Sequence, residues 1–141
     1  MTLEQIDQRT IARCVLQSIE DDYLVMAIPG TEYRLHLVPS IDANQLKQKV
    51  GKRLKGTIHA KAMKIHSARG GGLFIEPVLG SPRIVAGVVI AIDERERQVC
   101  VDVSVPMWVS LGEDQDLENC VEGELVNFYV QSGSTFKPLD V

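Results

Sequence analysis

The segment RIVAGVVIAIDERERQVCVDVSVPMWVSL, residues 83–111, indicates the fold class of this chain. Two runs rich in β-branched residues, RIVAGVVIAI and VCVDVSV, lie on either side of the charged turn DERERQ. Pro106 interrupts the pattern, and MWVSL then forms a third short apolar run. Short apolar runs that are bounded by turn residues are typical of strands. The segment therefore predicts three consecutive strands in a mainly β protein.

The first half of the chain shows the same order of features. Strand-like runs at residues 10–19, 23–28 and 33–38 precede the polar segment PSIDANQLKQKVG, which predicts a short helix with Ser40 as its N-cap. Two further strand-like segments follow, RLKGTIHAKAMKIHS and LFIEPV. The segment over residues 57–68 also fits a helix, but the comparison of the two halves favours a strand.

The second half continues in the corresponding order. The polar segment GEDQDLENCVEG predicts another short helix, and ELVNFYV and TFKPLDV predict the fourth and fifth strands. The ending of IEPV at residues 75–78 matches that of FKPL at residues 136–139. Matches that recur in one order along a chain indicate an internal repeat.

Three strands, a helix and two strands form the order of the OB-fold, a five-stranded and partly open barrel. We therefore expect two tandem OB-like barrels, at residues 10–80 and 81–141, with an SH3-like barrel as the alternative. A short N-terminal helix is expected at residues 1–9, capped by Thr2 with Gln5 three residues later.

Two pieces of the sequence resemble a known family. The segment GVVIAIDERERQVCVDVS, residues 87–104, resembles the hairpin of S-one-type RNA-binding OB domains, in which a strand ending in Ile-Asp meets a charged turn. The segment VGKRLKGTI, residues 50–58, resembles the Gly-x-x-x-x-Gly-x-Val entry of the same domains. The resemblance implies an OB barrel and RNA binding. The aromatic and histidine positions with which that family binds its ligand have no counterpart in this sequence.

Length and composition indicate a cytoplasmic protein without a membrane segment. The chain has 141 residues, of which 45% are hydrophobic. No apolar run approaches the roughly 20 residues that span a bilayer, and the N-terminus lacks the pattern of a signal peptide. The cysteines Cys14, Cys100 and Cys120 are odd in number and widely spaced. They are expected to act as small buried hydrophobic residues.

Charge is unevenly distributed along the sequence. The net charge is −4, but residues 43–75 contain no Asp or Glu and hold eight of the fifteen basic residues. The remainder of the chain consequently carries a net charge of −12. Segregation of charge on this scale points to the kind of partner, here an anionic one. Nucleic acid is the leading candidate for an external partner, and another polyanion is the alternative. A further alternative is that the eight cations pair with the acidic remainder of the same chain or of a neighbouring subunit, and that the glycines form only a flexible connection.

The stretch KIHSARGGG, residues 64–72, is the centre of the predicted site. Glycines leave backbone N–H groups accessible to an anion, and an arginine can bind phosphate through two parallel hydrogen bonds. Strand alternation puts Lys61 and Lys64 on opposite faces, which limits how many cations reach one ligand. The predicted anion-binding residues are Lys52, Arg53, Lys55, Lys61, Lys64, His66, Arg69, Gly70, Gly71 and Gly72.

Aromatic residues are few, at 5% of the chain. Tyr33 and Phe74 are the aromatic residues nearest to the basic segment in the sequence, and alternation with Leu35 and Leu37 favours a core position for Tyr33. Contact with the phosphate backbone is therefore expected to dominate over base recognition. Trp108 is expected in the core or between the barrels.

No motif predicts catalysis, a cofactor or a metal site. The histidines lack metal-ligand spacing, and the acidic segment at residues 113–124 lacks the glycine and terminal glutamate of a calcium loop. The sequence therefore predicts a non-enzymatic binding module. The alternative is a structural or adaptor protein that forms a homo-oligomer when its basic first barrel docks on the acidic second barrel of a neighbouring subunit.

Overall fold

A computed structural model of the protein describes residues 6–139. This part of the chain is mainly β, as the sequence predicts, and its strands belong to one mixed sheet. The strands are β1 (Ala12–Ile19), β2 (Leu24–Ala27), β3 (Arg34–Pro39), β4 (Arg53–Ser67), β5 (Phe74–Glu76), β6 (Leu79–Gly80), β7 (Ile84–Asp93), β8 (Gln98–Asp102), β9 (Pro106–Leu111), β10 (Leu125–Val130) and β11 (Thr135–Pro138).

The helical segments of the described chain are short 3-10 helices. They lie at Gln8–Thr10, Ala43–Lys49 and Leu117–Asn119. The predicted cap Ser40 is wrong, because the side chain of Asp42 accepts the N–H of Asn44 at 2.9 Å. The cap predicted at Thr2, with Gln5, lies outside the described residues.

The segment at residues 57–68, whose sequence fits both a strand and a helix, lies in strand β4 up to Ser67. β4 runs without interruption over fifteen residues, and Leu54, Ile58 and Ala60 on one of its faces are buried. The alternation in β3 is also confirmed, since Leu35 and Leu37 are fully buried. In both strands the apolar period of two follows from one face packing on the core.

Hydrogen bonding closes one ring of five strands around the first part of the chain. β1 pairs antiparallel with β2, and β2 pairs antiparallel with β3. β3 then pairs in parallel with β11, β11 pairs antiparallel with β4, and β4 returns to β1. The fifth strand of this first ring therefore comes from the C-terminal part of the chain.

A second ring has the same order of pairing. β7, β8 and β9 form an antiparallel meander, and β9 pairs in parallel with residues 59–62 of β4. β4 pairs antiparallel with β10, which returns to β7. β4 thus belongs to both rings, and strand pairing crosses the boundary predicted between residues 80 and 81 in both directions.

The segment predicted as the fifth strand of the first barrel lies elsewhere. Among the described strands β5 pairs only with β7, so it extends the sheet outside both rings. β6 makes a short parallel bridge to β3. The position between β3 and β4 in the first ring, which the sequence assigns to the fifth strand of the first half, is occupied by β11.

Buried side chains of both rings form one connected hydrophobic cluster. Phe136 of β11 and Phe128 of β10 are among its largest members. A Cβ atom at Gly56 on β4 would overlap the ring of Phe136 and the carbonyl oxygen of Lys137. Gly56 therefore lets β11 approach β4 closely. Within residues 6–139, no helix has the length and apolar character to span a membrane.

Candidate polyanion-binding surface on strand β4

β4 carries most of the predicted cations on its outer face. In its first part Leu54, Gly56 and Ile58 point into the core, whereas Arg53 and Lys55 are exposed. Since successive side chains of a strand alternate between faces, every second residue reaches solvent. The sequence period alone accounts for this part of the site.

A β-bulge changes the alternation in the second half of β4. Lys64 has a φ of 54°, and the register with β10 shifts between the pairs Met63–Tyr129 and His66–Asn127. Ile65 is buried after the bulge. An extra residue at a bulge re-aims the side chains that follow it. Lys61, Lys64 and His66 are therefore all exposed, and the predicted opposite orientation of Lys61 and Lys64 is wrong.

The bulge is supported by a side chain from the loop after β9. The backbone N–H of Ile65 donates to Oε1 of Gln115 at 3.0 Å. Arg97 fixes that loop in turn, because its Nη2 donates to the carbonyl of Gly112 at 3.0 Å and to the carbonyl of Gln115. Gln115 thus accepts the N–H of Ile65, which the bulge removes from the hydrogen-bond ladder between β4 and β10.

The predicted site residues lie in two groups. The first group, which we call the proximal cluster, consists of Lys52, Arg53 and Lys55 at the start of β4 together with Arg13 of β1. Arg13 and Lys55 are directly opposite one another in the antiparallel ladder, and both are exposed. Arg13 lies outside the basic segment of the sequence, and its position depends on the pairing of β1 with β4.

The second group, the distal cluster, consists of Lys61, Lys64 and His66 on β4 and Arg69 in the loop after it. The glycines of that loop, Gly70–Gly72, are exposed, and a Cβ atom at any of them would meet open space. Gly71 has a φ of 101°, a conformation that glycine adopts readily. The loop is therefore open to solvent, in agreement with its predicted accessibility.

An acidic cleft separates the two clusters. Thr57 and His59, which lie between them on β4, line a cleft of about 1210 Å³ together with Trp108. Four carboxylates also line this cleft, those of Asp7, Asp93, Glu94 and Glu122. The cations therefore do not form one continuous stripe. Trp108 is half-buried at the cleft, where β9 meets β4.

His59 is neutral in this setting at physiological pH. Burial, and secondarily the charge of Lys137, lower the pKa of His59 from its ordinary value of 6.5. Its Nε2 lies 2.8 Å from the hydroxyl of Thr57, within hydrogen-bond distance. His59 therefore adds no positive charge to the surface at physiological pH.

The cations of both clusters lack carboxylate partners within the described chain. The ion pair found among residues 6–139 joins Arg9 to Asp7, at 2.7 Å. Hydrogen bonds from Arg9 lower the pKa of that Asp7 carboxyl. Internal neutralisation of the proximal and distal clusters is therefore not seen in the part of the chain that the structure describes.

One exposed aromatic side chain lies beside the distal cluster, and a second lies two strands farther along the sheet, on β5. Tyr129 is 48% exposed and directly opposite Met63 of β4, and Phe74 on β5 is 36% exposed. The sequence does not reveal the position of Tyr129, because its neighbour Met63 lies 66 positions earlier in the chain. Tyr33 has the core position expected for it, since it packs on the hydrophobic cluster and its hydroxyl accepts the N–H of Ile75 at 3.1 Å.

The cysteines behave as small buried hydrophobic residues, as predicted. Cys14, Cys100 and Cys120 are free thiols in the interior. Burial raises the pKa of Cys14 and of Cys100 to about 12, so neither is a thiolate at neutral pH. Within the described residues, no group of three or more His, Cys, Asp or Glu side chains is placed to hold a metal ion.

Comparison of the chain with protein-family models, with curated proteins and with solved structures finds no match. The functional proposal therefore depends on the residues and on their geometry.

Proposed function

We propose that this protein is a non-enzymatic binding module that holds an anionic polymer, nucleic acid in the first instance, on the outer face of β4. In this proposal the two rings of strands are tandem OB-like barrels that share β4. The order of three strands, a helical turn and two further strands supports that interpretation.

The lack of carboxylate partners among residues 6–139 for the cations of β4 carries the proposal. Lys55 faces another cation, Arg13, across the ladder, and neither forms an ion pair with a described residue. Like charges directly opposite one another in a sheet are destabilising. A bound phosphate backbone would relieve that repulsion, and release of its counterions would add a driving force.

The length of β4 favours a polymer over a small anion. Its fifteen residues, at about 3.3 Å each, place the two clusters along a strand of roughly 50 Å. An extended single strand of RNA or DNA can contact the proximal and the distal clusters at once. Tyr129 offers a stacking position beside the distal cluster, where one base contributes about 1–3 kcal/mol in single-strand binders.

Charge variants test the proposal. Lys55→Gln in the proximal cluster and Lys61→Gln in the distal cluster should each weaken binding of a labelled single-stranded RNA, measured by fluorescence anisotropy at low salt. Arg95→Gln is the matched control, because Arg95 is an exposed cation in the turn between β7 and β8. Equal affinity of all three variants and the wild type would contradict the proposed surface.

The adaptor function is the second candidate. The carboxylates of Asp93, Glu94 and Glu122 line an open cleft, which offers a surface complementary to the proximal cluster of another copy. This function predicts an oligomer that dissociates as salt is added. Light scattering at low and high ionic strength tests it, and a monomer under both conditions would contradict it.

A further inference from the structure

A small cavity lies where the two rings meet. Its volume is about 160 Å³, and three parts of the chain line it. They are the middle of β4 at residues 59–61, Ser110 of β9, and the segment at residues 131–135 that joins β10 to β11. We call it the serine cavity, after Ser110, Ser132 and Ser134.

Ser134 has a hydroxyl group without a partner. The residue is 4% exposed, and its Oγ makes no hydrogen bond within the described chain. The backbone holds the residue in place, because the carbonyl of Ser134 accepts the N–H of Val38 at 2.8 Å. Oγ itself has almost no accessible surface, so it reaches a ligand in the cavity only after rotation about χ1. Buried polar groups are nearly always paired, and a ligand oxygen in the cavity would supply the missing partner.

The loop that contains Ser134 offers further donors. The backbone N–H groups of Ser132, Gly133 and Ser134 have no backbone acceptor among residues 6–139. Gly133 has a φ of 94°, and successive amides in a turn of this kind can surround an anion. The loop is anchored at its start, where the N–H of Gln131 donates to the carbonyl of Lys61 at 3.0 Å.

The charge of the serine cavity also suits an anion. Among residues 6–139, Lys61 and His59 are the ionisable residues that line it, and no carboxylate of this range does. The depressions on either side differ in this respect, since Asp114 lines one and four carboxylates line the other. Lys61 therefore supplies one full positive charge to a cavity that is otherwise lined by neutral donors.

We propose that the serine cavity binds a single phosphate group. A cavity of this size is smaller than the roughly 300–1,000 Å³ of sites for drug-sized ligands, so it suits one oxyanion rather than a whole nucleotide. Lys61, the hydroxyl groups of Ser110, Ser132 and Ser134, and the loop amides are the donors. The phosphate group is either free phosphate or part of a polymer lying along β4, and only the second case rests on the proposed function.

Titration with inorganic phosphate, followed by calorimetry at constant ionic strength, tests the site. The wild-type protein should show saturable binding to one site. Ser134→Ala should weaken it about tenfold or more, since it removes a hydrogen bond to a charged ligand. Without phosphate, the variant should be at least as stable as the wild type in urea, because the substitution removes a buried unpaired hydroxyl. Ser40→Ala, at an exposed serine, is the control.

Lys61→Gln provides a second variant, and it should weaken phosphate binding while Lys55→Gln leaves it unchanged. No saturable binding at millimolar phosphate, or equal binding by Ser134→Ala and Ser40→Ala, would overturn the proposal. Failure of polymer binding alone would not, because free phosphate is measured without a polymer. If phosphate displaces a labelled RNA at constant ionic strength, the phosphate group in the serine cavity is one that belongs to the polymer. If RNA and phosphate bind independently, the ligand of the cavity is free phosphate.

Discussion

Lys55 is expected to lower the stability of the folded protein and to increase its affinity for an anionic polymer. It faces Arg13 in the ladder between β1 and β4, and both side chains are exposed. We expect Lys55→Gln to stabilise the protein by about 0.2–1 kcal/mol in urea denaturation, because it removes a like-charge pair. Arg95→Gln, at an exposed cation in a turn, should change the free energy of unfolding less. A clear loss of stability in Lys55→Gln would show that the lysine has a favourable partner.

His59 should make stability depend on pH. Its pKa in the folded protein is lowered from 6.5, so the unfolded chain takes up a proton at a higher pH than the folded one. Stability from this group is complete above pH 6.5 and is lost as pH falls through the folded pKa. Asp7, whose pKa is lowered from 3.8, acts only at more acidic pH.

The measurement is the free energy of unfolding in urea at several values between about pH 5 and 7. His59→Gln should show a smaller decline than the wild type over this range. His66→Gln is the control, since His66 is an exposed histidine on the same strand. Equal slopes for the wild type and His59→Gln would contradict the lowered pKa.

Much of the residue-scale account could be predicted from the sequence. The basic segment, its glycine loop and the buried cysteines follow from charge and composition alone. Arg13 and Tyr129 could not be found in this way, since each becomes part of the surface through a strand partner distant in sequence. The division of the cations into two clusters depends on carboxylates from several other segments.

At the scale of elements, the bulge in β4 decides which cations reach solvent. A period of two predicts strand faces correctly up to Met63 and fails from Lys64 onwards. The failure has a physical reason: a bulge is a property of a strand pair, and the partner β10 lies far away in the sequence. The register shift is therefore invisible in β4 alone.

Gln115 should be required for the stability of this bulge. Gln115→Ala leaves the buried amide of Ile65 without its acceptor, which we expect to cost about 1–3 kcal/mol in urea denaturation. Gln17→Ala, at an exposed glutamine on β1, is the matched control and should change stability by about 0.5 kcal/mol or less. Equal effects of the two substitutions would contradict the supporting role of Gln115.

For the whole molecule, the sequence predicts the order of the strands better than their partners. The ten strands predicted in the two halves appear at the expected places along the sequence, as β1–β5 and β7–β11. Hydrophobic period reports which face of a strand is buried and carries no information about the neighbouring strand. The pairing of β11 with β3, and of the second half of β4 with β9, was therefore beyond prediction.

The assignment of β11, from the C-terminal part of the chain, to the first ring can be tested by the rates at which Cys14 and Cys100 are alkylated. Phe136 of β11 is buried in the first ring, so Phe136→Ala should remove about 3–5 kcal/mol and loosen β1, where Cys14 lies. Alkylation followed by mass spectrometry should then show a larger increase at Cys14 than at Cys100 of β8. Met107→Ala, in β9 of the second ring, is the matched substitution. It should increase alkylation of Cys100 more than alkylation of Cys14. Faster reaction of Cys100 but not of Cys14 in Phe136→Ala would contradict the assignment of β11 to the first ring.

The central proposal is that β4 presents to an anionic polymer cations that have no ion-pair partner among residues 6–139. It predicts a steep dependence of affinity on salt. Binding of a labelled single-stranded RNA should be followed by anisotropy from about 50 mM to about 300 mM salt, with an expected log–log slope near −3 if about four phosphates are neutralised. Lys55→Gln should make the slope about 0.7 less steep, and Arg95→Gln should leave it unchanged. Equal affinity at both ends of the salt range, or no binding of RNA or single-stranded DNA at the low end, would contradict the proposed function.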